Sequence, residues 1–95
     1  MDVVTKTISA QNTFSDGLSL RGDFALSISG VSDSTVTVQR SFDNSTWADV
    51  DTFTANYEGN GYEGVGALYR AGVKTGDYGT DTVVVTLLEI VTGKQ

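Results

Sequence analysis

Apolar and polar positions alternate most regularly between Ser34 and Thr54, STVTVQRSFDNSTWADVDTFT. Val36, Val38, Arg40 and Phe42 share one parity, and Thr35, Thr37, Gln39 and Ser41 the other. A period of two is what a strand with one buried face shows. Asp43-Asn44-Ser45 follows. Asx and Ser side chains hydrogen-bond nearby backbone, and Asn tolerates left-handed dihedrals, so this tripeptide predicts a turn. Trp47 opens a second run that ends near Phe53. Together these segments predict a β-hairpin with Val36, Val38, Phe42 and Trp47 as its core positions. A loop from Asp43 to Thr46 sets Phe42 against Trp47 and Arg40 against Asp49, pairs that contribute roughly 0.2–1 kcal/mol each. The same register puts Val38 opposite Asp51. A bulge near Ala48–Val50 that turns Val50 inward relieves the conflict.

The rest of the chain extends the pattern. Asp2 to Ser9, rich in β-branched residues, predicts a first, edge-type strand, followed by a polar connection from Ala10 to Gly17 with Phe14 tucked under it. Leu18 to Arg21 predicts a short strand ending before Gly22. Phe24, Leu26 and Ile28 alternate with Ala25, Ser27 and Ser29, a second clear strand. The five-residue link Gly30–Ser34 implies that this strand and the hairpin are antiparallel neighbours. Ala55 to Gly64, with three Gly and two Tyr in a polar setting, reads as a long exposed loop. Alternation resumes from Val65 to Val73. Lys74 to Asp81 is a turn cluster with Tyr78 near its tip, and Thr82 to Val91 is the most apolar run, predicting a strand buried on both faces or covered by a partner. The last residues, 92–95, read as a tail.

No helical period of useful length occurs. About six to eight strands at near-regular turn spacing predict an all-β fold, a single antiparallel β-sandwich or barrel of Ig-like or jelly-roll-like type. The 95 residues make one domain, with residues 1–17 an extended arm or edge strand. With no Pro, edge protection falls to charges, bulges or another chain.

Composition removes several function classes. Neither Cys nor His occurs, which takes away thiol chemistry, the usual general base and the commonest metal ligand. The net charge is −6, with twelve acidic against six basic residues. That balance argues against nucleic acid, whose affinity rests on phosphate contacts, and against anionic membranes. The first residues lack the basic and apolar regions of a signal peptide. No cofactor is expected.

Most carboxylates stand in turn contexts, among them Asp16, Asp33, Asp43, Asp77 and Asp81. With no nucleophile motif, the chain is expected not to be an enzyme. Asp43, Asn44, Asp49 and Asp51 crowd oxygen ligands as a calcium site does, but no D-x-D-x-D-G loop is present. Ser41 to Trp47 is similar to the Asp-box hairpin of sialidase-type propellers, shorter by one residue and without its Gly. One copy in 95 residues excludes a propeller, so the likeness implies only a Ser/Asp-stabilised turn with Trp47 plugging the core. Tyr57, Tyr62 and Tyr78, read as loop residues, offer apolar area and a hydroxyl for contact.

The order GDFALSISG, TVTVQRSFDNSTWADV, YRAGVKTGDYG, TVVVTL, from about Leu18 to Leu88, resembles small β-rich virion structural proteins of tailed bacteriophages. The resemblance implies a non-enzymatic capsid decoration (cement) protein, assembled in the host cytoplasm and bound in many copies outside an icosahedral shell. Its partners would be the major capsid protein and neighbouring copies of itself. Docking through the N-terminal VVTKTIS or through TVVVTLLEIV by edge pairing would suit that role. Val3, Val4, Tyr57, Tyr62 and Tyr78 are the candidate partner contacts. The alternatives are a carbohydrate- or receptor-binding module, as at a tail-fibre or spike tip, that binds surface glycans through the three tyrosines, and a tail or connector component.

Overall fold

The computed structural model describes residues 2–90. Seven strands form: β1 (Val3–Ile8), β2 (Thr13–Phe14), β3 (Leu18–Ser29), β4 (Val36–Ser41), β5 (Ala48–Phe53), β6 (Tyr57–Val73) and β7 (Val83–Glu89). All pairings are antiparallel. They make one hydrogen-bonded sheet in the order β1-β7-β3-β6-β4-β5, with β2 on β6. No helix occurs among the described residues.

The 17-residue β6 lets one sheet close over a core. Its first half, Tyr57–Glu63, pairs with Gly22–Ile28 of β3. Its second half pairs with Leu18–Leu20 on one side and with Thr37–Ser41 of β4 on the other. Between the halves, Gly64, Val65 and Gly66 bulge against the single residue Arg21. Gly22 (φ 83°) and Gly66 (φ 100°) supply the left-handed dihedrals there, which other residues adopt only at a cost. The bulge bends the sheet, as such insertions do. The inward side chains of β3 (Leu20, Leu26, Ile28), β4 (Val36, Val38), β6 (Ala71, Val73) and β7 (Val83, Val85, Leu87) then meet in one cluster, joined by Ile8 of β1. The shortest dimension is 17 Å, room for two layers at the usual spacing of about 10 Å. The fold is a small all-β sandwich.

Several expectations give way. Residues 57–64 are strand, not loop. The ring of Phe24 lies where a Cβ on Gly61 would sit, 2.5 Å from its Cζ, and Tyr57 folds over Gly59 in the same way. Aromatic rings cover the glycines and supply the packing that Gly lacks. The two short segments around Gly22 are one strand, β3. The strands β3 and β4 are not neighbours, because β6 lies between them. In β7, Val83, Val85 and Leu87 are buried while Val84, Thr86 and Leu88 are half-buried, so only the inner face is sealed. Val91 and the tail lie outside the described residues.

The hairpin of β4 and β5 forms, and Val36 and Val38 are core. Its tip differs from expectation. Arg40 faces Ala48 and Gln39 faces Asp49, with the extra residue of the bulge at Val50. Phe42 is 70% exposed, under the Arg40 guanidinium at 4.5 Å. Trp47 is half-buried rather than core, 4.3 Å from Arg70. Val50 stays 48% exposed. The cause is β6, which pairs with the other side of β4: Thr37, Gln39 and Ser41 are buried too, and the period-two contrast vanishes.

Candidate functional site

The first half of β6, Tyr57–Gly66, has no β4 partner and lies across from the Val38 and Val50–Phe53 part of the hairpin. A cleft of about 200 Å³ opens there, lined by Phe24, Val50, Asp51, Phe53, Tyr57, Asn60 and Tyr62 among others. Phe53 and Tyr57 stack with centroids 4.5 Å apart. The bulge in β5 brings Val50 to the cleft rim, and Tyr62 on β6 is 70% exposed. The end strand β5 beside it offers a backbone edge that no other strand pairs with among the described residues. This is the place where exposed apolar side chains, an aromatic cleft and a free strand edge coincide.

The candidate contacts separate. Tyr57 and Tyr62 line this cleft. Tyr78 sits in the β6–β7 connection, half-buried against the core, its hydroxyl donating to the Asp81 carbonyl at 2.7 Å. The three do not make one platform. Val3 is 57% exposed on the edge strand β1, while Val4 packs on the core. Sequence reasoning missed Val50 and Phe53 as cleft residues. The signal was the Val38–Asp51 conflict, which located the bulge but not the direction of the side chain.

The carboxylates are mostly engaged in holding the frame. Glu63, 2% exposed, receives both Arg40 Nε and Nη2 (2.8 and 2.7 Å), the Tyr69 hydroxyl (2.7 Å) and the Val65 and Gly66 amides. Arg40 first, then Tyr69, holds its pKa down at about 2 against burial. Burial and the Glu63 carboxylate push the Tyr69 phenol up to about 12. Asp81 accepts the Ser32, Asp33 and Ser34 amides and the Ser34 hydroxyl, and these donors hold it well below the usual range. Asp33 returns the clasp by accepting from Thr80. In the hairpin turn, Asp43 Oδ1 accepts the Ser45 and Thr46 amides, Asn44 takes φ 62°, and Ser41 Oγ accepts the Asn44 amide. The Ser/Asp-stabilised turn is therefore as expected, with Asp43 well below its ordinary pKa, first through the Thr46 amide. Asp49 is bound by Lys74 (2.7 Å) and Gln39 (2.8 Å), which both lower its pKa. No cluster of three or more potential acidic ligands occurs among the described residues.

No protein-family model matches the chain, and comparison with curated proteins and with solved structures finds no match either.

Proposed function

We propose that the chain is a non-enzymatic adhesion protein that docks in many copies on a larger assembly, in its most specific form a decoration protein on the outer capsid shell of a tailed phage. The observation that carries the adhesive part is the cleft between β5 and the first half of β6. There Val50, Tyr57 and Tyr62 present apolar surface beside an open strand edge. Exposed aromatic area with a polar rim is typical of contact surfaces, and an open edge accepts a further strand. The phage part rests on the resemblance of the sequence. The engaged carboxylates favour a structural role, since Glu63, Asp43 and Asp81 spend their acceptor capacity on the chain's own donors.

Saturable co-sedimentation with purified empty capsid shells, at a fixed ratio to the major shell protein, is the expected result. Replacing Val50 and Tyr62 together by Ser should release the chain from the shell. Both side chains are exposed, so stability should change by only about 0.5 kcal/mol each. Failure of the unaltered chain to sediment with shells removes the capsid reading. Undiminished binding of the double variant removes the cleft.

A further inference from the structure

Beside the hairpin tip, in a groove that Asn44 and Trp47 help to line, Arg70 of β6 lies between two aromatic rings. Its guanidinium carbon is 4.4 Å from the Phe14 centroid and 4.3 Å from that of Trp47. Its Nε donates to Gln39 Oε1 at 2.8 Å. The side chain is thus fixed in direction and partly desolvated, and burial lowers its pKa. Yet the two ion pairs among the described residues use Arg40 and Lys74. In a chain with twelve carboxylates and six cations, Arg70 has no carboxylate partner among the described residues. Asp16 lines the same groove and makes no ion pair with it.

The groove, about 610 Å³, is lined by Phe14, Trp47 and Arg70 together with Asn12, Asn44 and Asp16 among others. Asn12 (φ 54°) and Asn44 (φ 62°) are the two non-glycine residues at positive φ among those described, and both lie here. We propose that this groove binds a carboxylate-bearing saccharide, the sugar carboxylate on Arg70 and its hydroxyls on Asn12, Asn44 and Asp16. A planar guanidinium suits a carboxylate bidentately. A simple inorganic anion would meet Asp16 and a net charge of −6 with nothing to offer an acceptor. An acidic peptide would add further negative charge. A uronic acid brings one carboxylate and several hydroxyl donors, which is what the remaining amides and carboxylate need. The inference stands apart from the adhesion reading, because it uses neither the cleft nor the β5 edge.

The test is titration followed by amide NMR shifts, with methyl β-D-glucuronide and methyl β-D-glucoside as probes, which differ at the C6 carboxylate. The glucuronide should bind saturably, with shifts at Asn12, Asn44 and Arg70, at least about tenfold more tightly than the glucoside, the scale of one charge-assisted bidentate contact. Arg70→Lys keeps the charge but loses the fork and the flat stacking, and should weaken binding by a similar factor. Asn44→Gly suits the positive φ, so it should keep the fold and still weaken binding. Equal binding of both sugars, no binding of the glucuronide, or indifference of both variants overturns the proposal. Tighter binding of a short polyglutamate peptide than of the glucuronide assigns the groove to acidic peptides and overturns the saccharide.

Discussion

Acidification from about pH 5 towards pH 2 is expected to unfold the chain steeply, and Glu63→Gln is expected to flatten that limb. The pKa of Glu63 is about 2 in the fold against an ordinary 4.5. Because the folded value is depressed, its contribution is complete above pH 4.5 and is lost as pH falls through 2. Asp43 and Asp81, also held down, act in the same direction. Tyr69 mirrors this at the alkaline end. Raised from 10 to about 12, it favours the fold fully below pH 10 and loses that contribution as pH rises through 12. Stability should form a plateau between roughly pH 5 and pH 10, bounded by these two groups. On the plateau Glu63→Gln should cost about 2 kcal/mol, the scale of losing charge-assisted hydrogen bonds at a buried acceptor. Urea unfolding at a series of pH values, followed by the single Trp47, reads both effects. An acid limb equally steep in the variant would mean that Glu63 is not the clamp of the β6 bulge.

Gly30→Ala should be the most damaging of the glycine substitutions at positive φ, and Gly76→Ala is its control. Gly30 has φ 81°, and a Cβ there would stand 2.2 Å from the Thr82 carbonyl oxygen. Gly76 has φ 89°, but a Cβ would meet nothing within 4 Å. Both variants carry the left-handed cost of about 1–2 kcal/mol. Only Gly30→Ala also displaces backbone, and it does so where Asp81 ties the Gly30–Ser34 link to the β6–β7 connection. That link carries the chain from β3 past β6 to β4. The expected loss is therefore about 3 kcal/mol or more for Gly30 and about 1 kcal/mol for Gly76, measured as urea midpoints. Equal losses would show that the contact with Thr82 yields freely.

The strands were legible where one face is buried. Asp23 to Ser29 and the Val83 to Leu87 parity keep their alternation because each has a sealed side and a wetter one. The hairpin was legible, with Val36 and Val38 in the core, but its tip and its one-sided burial were not: with β6 on its far edge, β4 also buries Thr37, Gln39 and Ser41, which apolar counting does not detect. Ala55 to Gly64 misled because its glycines are covered by aromatic rings, Gly61 by Phe24 of β3 and Gly59 by Tyr57 of the same segment, which its Gly-rich composition does not show. Topology was hidden for a related reason, since a link of five residues does not say whether it crosses a third strand. Of the candidate contacts, Tyr62 was legible as an exposed aromatic. Its companions Val50 and Phe53 needed the bulge, and Tyr78 was drawn off by its bond to Asp81.

Amide hydrogen exchange on the chain, free and bound to empty capsid shells, tests the adhesive cleft most directly. Binding should slow exchange in β5, from Ala48 to Phe53, and in Tyr57 to Tyr62 of β6, and should leave the edge strand β1 unchanged. Protection confined to Val3–Ile8, with β5 exchanging as in the free chain, would contradict the account and move the docking surface to the other edge of the sheet.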